Sequence, residues 1–115
     1  MDNGDAGTST SRMILEVALL DVKPGLASAF ENDFDLAASH LAGAEGYVSH
    51  ELQRGVETPN RYVLLVRWNS VEAHTEGFRK SPAYQEWKKL LHHYYDPFPT
   101  VEHFEQVHED QKRDA

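Results

Sequence analysis

Residues 61–68, RYVLLVRW, constrain the fold more than any other stretch of the chain. The segment is rich in β-branched and aromatic side chains and reads as a central β-strand. Successive strand side chains point to opposite faces, so Leu64 and Val66 share one face while Val63 and Leu65 share the other. Both faces therefore need apolar cover. The chain has 115 residues, which is one domain with a modest core. One layer of helices can cover one face of a sheet. A second copy packed sheet against sheet is the simplest cover for the other.

The flanking segments supply the rest of that sheet. Residues 13–20, MILEVALL, form a short apolar run that reads as a buried strand. Pro24-Gly25 follows, and proline suits the first turn of a helix. Leu26, Phe30, Phe34, Ala37 and Leu41 then recur every three or four residues as one apolar stripe, which Gly43 and Gly46 end. Residues 47–54 alternate, with Val48, His50 and Leu52 on one face, and should pair with 61–68 as a hairpin across the turn at 57–60. Ser70 caps a short helix to about Phe78. Ser81-Pro82 starts another, whose stripe is Tyr84, Trp87, Leu91 and Tyr94 and which ends at Asp96-Pro97-Phe98-Pro99. Residues 100–108 alternate again as a last strand. The order β-α-β-β-α-β predicts an α+β, ferredoxin-like domain: a four-stranded antiparallel sheet with helices on one face. With a second copy on the open face it becomes a homodimer with a shared barrel-like core. Residues 1–12 and 109–115 lack apolar periodicity and read as disordered tails around a single domain at 13–108.

Composition removes several function classes. The chain has no cysteine, so disulfides, thiolate nucleophiles and Cys-based zinc sites are excluded. A formal net charge of −8 repels phosphate backbones and argues against nucleic-acid binding. The N-terminal residues lack the basic and apolar regions of a signal peptide. No apolar run approaches the ~20 residues of a membrane span. A cytoplasmic protein without membrane or nucleic-acid partners is expected.

Histidine is the side chain best suited to proton transfer near neutral pH, and the chain has seven. His74, early in the helix after Trp68, is the candidate base; its alternative is a helix-packing residue. His50 and His103 lie on apolar strand faces, either lining a cleft or packed in the core or an interface. His92 and His93 are adjacent on a helix and so diverge, one towards the core and one towards solvent. Arg79 is placed to clamp a carboxylate or enolate oxygen, or to pair with an acidic neighbour. Glu16 interrupts an apolar strand and needs a cationic partner or a raised pKa. Arg67 is the candidate partner. Phe78, Tyr84 and Trp87 would line a cleft suited to a flat aromatic ligand, or simply fill the core. No HExxH-type spacing is present and no metal site is expected.

The stretches Trp68-Asn69-Ser70-Val71-Glu72-Ala73-His74 and Phe78-Arg79-Lys80-Ser81-Pro82-Ala83-Tyr84 resemble the antibiotic-biosynthesis-monooxygenase family. So do the opening ILEVALLDVKPG, the strand entry Gly46-Tyr47-Val48-Ser49 and the closing Val101-Glu102-His103-Phe104. The resemblance implies a dimeric ferredoxin-like barrel with an apolar cleft in each subunit. It also implies oxygenation of an aromatic substrate by O₂ without metal, flavin or haem, the substrate's own enolate or phenolate donating the electron. The polyketide oxygenases of the family place Asn, Trp, Tyr and Arg at positions that fall here on Leu64, Trp68, His74 and Lys88, so only the Trp is kept. The haem-degrading branch needs an Asn on the first strand, which MILEVALL lacks, and its proximal His falls near Trp87. Three readings follow. The first is a cofactor-independent oxygenase of a hydroxylated aromatic or quinol, with His74 as base and Trp68 positioning the substrate. The second is a non-catalytic binding or stress protein, and the third an isomerase or decarboxylase using the same base.

Overall fold

A computed structural model describes residues 13–112. The expected tail at 1–12 lies outside the described residues, as does the end of the expected tail at 109–115. The elements are β1 (Ile14–Asp21), α1 (Ala27–Ala42), β2 (Tyr47–Arg54), β3 (Arg61–Trp68), a π-helical turn (Ala73–Phe78), α2 (Pro82–Leu91), a 3₁₀ turn (His92–Tyr94) and β4 (Val101–Glu105). The strands form one antiparallel sheet in the order β2-β3-β1-β4. This is the α+β, ferredoxin-like topology that the sequence predicts. No helix among the described residues is long and apolar enough to cross a membrane.

One face of the sheet carries the core. Tyr62, Leu64, Val66 and Trp68 of β3 and Ala18 and Leu20 of β1 are buried beneath Phe30, Phe34, Ala37 and Leu41 of α1 and Trp87 and Leu91 of α2. Each such Leu or Phe removed from water contributes about 1.5–3 kcal/mol before entropy is counted. The helix ends follow the sequence signals. Ser70 Oγ accepts from the Ala73 N–H at 3.1 Å, and Ser81 Oγ accepts from the Tyr84 N–H at 3.2 Å with Pro82 in the first turn.

Four details depart from the expectation. Pro24 and Gly25 form a turn before α1, with Gly25 at φ +84°, and Leu26 is exposed instead of joining the stripe. A register shift between Tyr47 and Ser49 breaks the alternation of β2, leaving Val48 exposed while Tyr47 and His50 meet. This is the local effect of a β-bulge. β4 stops at Glu105 because its partner Ile14 begins β1. Arg67 faces away from Glu16: it lies opposite Leu15 in the register, whereas Glu16 lies opposite Val66 on the core face.

The other sheet face has no cover among the described residues. Leu19 and Phe104 are about half exposed, and Met13, Leu15, Val17, Arg67 and Phe104 line a groove on it.

Gly46 ties β2 to the π-helical turn. It sits at φ +85°, and a Cβ there would fall 2.5 Å from Ala73 Cβ, while its carbonyl accepts from the Asn69 N–H at 2.8 Å. Gly25 has a similar φ but open space around it. Gly25→Ala should therefore cost about 1 kcal/mol from backbone strain alone. Gly46→Ala should cost roughly 1–3 kcal/mol more, because overlap with Ala73 adds to the strain. Urea unfolding of the two variants measures this difference; equal losses would contradict it.

Candidate active site

A carboxylate in a sheet's core face needs partners, and the structure supplies them from two elements. Glu16 is only 6% exposed. The Trp68 indole N–H donates to its Oε1 at 2.9 Å, across the β1–β3 pairing. His74 Nε2 lies 3.5 Å from the same oxygen, too far for a hydrogen bond. Burial pushes the Glu16 carboxyl above the usual glutamate range, against the pull of the Trp68 hydrogen bond and the Arg79 charge.

The π-helical turn brings His74 to this carboxyl. The Arg79 N–H reaches back to the His74 carbonyl at 2.9 Å, five residues earlier. The widened turn lets His74, Phe78 and Arg79 all face one cavity. Such turns recur at functional sites. The His74 ring stacks on Trp68, with centroids 5.3 Å apart and planes 21° apart. Its Nδ1 is 2.9 Å from His103 Nε2, on the strand directly across from Glu16. Burial, aided by the Arg79 and His103 charges, lowers His74 to about 3, so the ring is neutral at physiological pH. His103 is lowered by burial and then by Arg79.

The cavity is lined by Glu16, His74, Phe78, Arg79, Tyr84 and Trp87, together with His92, Tyr95 and Pro99. Its volume is about 60 Å³. That is room for roughly two waters, whereas pockets for drug-sized ligands run to about 300–1,000 Å³. An aromatic ring therefore needs more space than the cavity offers as it stands. The guanidinium of Arg79, exposed at the rim, makes no hydrogen bond or ion pair among the described residues.

The residues singled out in the sequence divide accordingly. His74, Phe78, Arg79, Tyr84 and Trp87 meet at the cavity. Trp68 is fully buried behind His74 rather than in the wall, and His103 reaches the site through His74. His50 stands apart: its Nδ1 shares a hydrogen bond with the Tyr47 hydroxyl at 2.5 Å, and it borders a surface hollow with Glu31, Arg54 and Tyr62. Glu16 joins the site through Trp68 instead of pairing with Arg67. Its signal was positional, since it has the parity of Ala18 and Leu20. His92 is half-buried against Tyr84, Tyr95 and Phe98, while His93 is exposed.

The low His74 value has a thermodynamic consequence. Below 6.5 the unfolded chain protonates this ring, but the folded chain does so only near 3. The unfolded state thus binds more protons in that window, and stability falls as pH drops through it. His74→Phe keeps a flat ring against Trp68 and has no proton to take up. Its urea midpoint should fall less steeply between pH 6.5 and 3 than that of the parent. The Glu16 contribution has the opposite sign and is carried by both proteins. Parallel slopes would contradict the buried, neutral assignment of His74.

Comparisons with known proteins agree with this architecture. Residues 13–90 match the family model for antibiotic biosynthesis monooxygenase. The uncharacterised protein YczJ of Bacillus subtilis (strain 168) is 52% identical over 95 residues, covering 83% of this chain and 100% of YczJ. A solved structure from Bordetella bronchiseptica, assigned as an antibiotic biosynthesis monooxygenase, is 36% identical with a TM-score of 0.80, covering 84% of this chain and 98% of its own. SnoaB, a cofactor-independent oxygenase from Streptomyces nogalater, shares the fold with a TM-score of 0.65 at 23% identity, covering 87% of this chain and 96% of its own. The chain belongs to the antibiotic biosynthesis monooxygenase family.

Proposed function

We propose that the protein is a cofactor-independent monooxygenase acting on a hydroxylated aromatic or quinol-type small molecule. The observation that carries this reading is the unbonded Nε2 of His74, held neutral beside an aromatic-walled cavity with an uncommitted Arg79 at its rim. The family match and the oxygenase among its structural neighbours support the same kind of chemistry.

The residues divide the work as follows. Phe78, Tyr84 and Trp87 hold the flat ring, for which the cavity must widen. His74 takes the phenolic proton, and the Arg79 guanidinium offsets the negative charge that forms on the substrate oxygen. The phenolate passes an electron to O₂, and the resulting pair joins at the ring carbon as a peroxide anion. His74 returns its proton to that peroxide. Loss of the remaining C–H proton with hydroxide then leaves a carbonyl and water. A phenolic O–H and a ring C–H, with O₂, thus become two ring carbonyls and H₂O, one atom of the O₂ in the quinone and one in the water. Trp68 supports the His74 ring from behind and fixes Glu16.

Two copies are proposed to join through the uncovered sheet face around Leu19 and Phe104. The cavity's small volume of about 60 Å³ favours a second reading, an isomerase or decarboxylase working on a compact substrate with the same base.

The test is oxygen uptake by metal-stripped protein with anthrones, naphthols and hydroquinones. His74→Ala should lower kcat by about 10²–10⁴-fold, the usual worth of a positioned base. Arg79→Gln should chiefly lower kcat, because the guanidinium acts on charge that forms only during the reaction. No uptake by the parent protein on any of these compounds would sink the oxygenase reading in favour of the second.

A further inference from the structure

His74 presents an energetic problem as a lone base. It is 3% exposed, and an imidazolium formed there has no solvent to stabilise it. The structure places a second imidazole where the charge can go. His103 Nε2 is 2.9 Å from His74 Nδ1, with ring centroids 5.1 Å apart. His103 is half-buried on β4, a strand at the edge of the sheet, so it stands nearer to water than His74 does.

The hydrogen-bond inventory also selects the tautomer. If His74 carried its proton on Nε2, that N–H would face Glu16 Oε1 at 3.5 Å and make no hydrogen bond in a buried site. A buried donor left unmade is costly. With the proton on Nδ1, the N–H is used in the bond to His103, and Nε2 presents a bare lone pair. Glu16 Oε1 is already occupied by the Trp68 N–H and so competes weakly for this ring. The charged and titratable groups that share the cavity with His74 are Glu16 on β1, Arg79 after the π-helical turn, Tyr84 on α2, and His92 and Tyr95 after it, and Arg79 acts on both histidines of the pair.

We propose that His74 and His103 form one proton-accepting unit, His74 taking a proton at Nε2 from the bound molecule while its Nδ1 proton passes to His103 Nε2. This rests on the base role proposed above for His74. The substrate O–H bond breaks as the His74 Nε2–H bond forms. The His74 Nδ1–H bond breaks as the His103 Nε2–H bond forms. The substrate leaves as phenolate, His74 stays neutral with its proton moved across the ring, and His103 becomes the imidazolium. No electrons change hands, and return of the proton along the same path restores the starting tautomers. His103 is thus a positioning and relay residue that does not touch the substrate. Glu16 lies across from His103 in the register, and its carboxyl stands 3.5 Å from His74 Nε2, on the side of the pair where the proton enters.

Long-range ¹⁵N–¹H correlation spectra of the histidine rings test this in the intact, substrate-free protein. The expected result is His74 protonated at Nδ1 and bare at Nε2 at neutral pH. His74 protonated at Nε2 would overturn the proposal, because the ring would then have no lone pair to offer the cavity. The second arm is His103→Ala, assayed on whichever compound the parent protein turns over. A loss in kcat of about tenfold or more with KM little changed, a shifted pH–rate profile and rescue by added imidazole are expected. An unchanged profile without rescue would reduce His103 to a packing residue and overturn the relay. An inactive parent protein whose His74 is protonated at Nδ1 would remove the oxygenase reading and leave the coupled pair standing.

Discussion

The site depends on one constraint: a carboxyl group placed in the core face of a sheet. Glu16 sits among Ala18, Leu20, Val66 and Trp68, where an unpaired charge is expensive. The fold answers with a single strong donor, the Trp68 indole N–H. That bond fixes the indole plane, and the plane becomes the floor on which His74 stacks. Replacing Glu16 with an aliphatic residue would suit the core, so its presence shapes the site at a cost in stability.

The second constraint is the joint between strand and turn. Gly46 lets the start of β2 approach Ala73 closely, and the widened turn that follows swings His74, Phe78 and Arg79 to one side. Arg79 then acts at a distance on Glu16, His74, His92 and His103 alike. Its positive field favours neutral imidazoles and an ionised carboxyl. The cavity therefore combines neutral bases with one uncommitted cation, an arrangement suited to generating an anion and holding it.

The fold was legible because periodicity reports burial. The two-faced apolar strand 61–68, the stripe from Phe30 to Leu41 and the Ser70 and Ser81 caps each placed an element. Periodicity fails where the backbone departs from regular geometry. The bulge near Val48 shifted Tyr47 and Val48, at the start of β2, to opposite faces from those expected, and the wide turn at Ala73–Phe78 has no sequence signature distinct from an α-helix. The candidate site was half legible. His74, Arg79 and the aromatic wall follow from residue type and position. Glu16 was harder, because every neighbour in MILEVALL is apolar and only the register against β3 reveals which face it joins. His50 looked equivalent to His103 in the sequence, and only the packing separates them, one against Phe34 and Tyr47 and the other against His74.

Everything in the site rests on Glu16 being a buried carboxyl, raised in pKa and tied to Trp68. A pH titration of protein carrying ¹³C-labelled glutamate side chains, followed together with the Trp68 indole N–H resonance, tests it most directly. One carboxyl should titrate above the ordinary glutamate range, and the indole signal should move with it. If every glutamate titrates in the ordinary range while the indole signal stays fixed, Glu16 is not held as described and the site built on it does not stand.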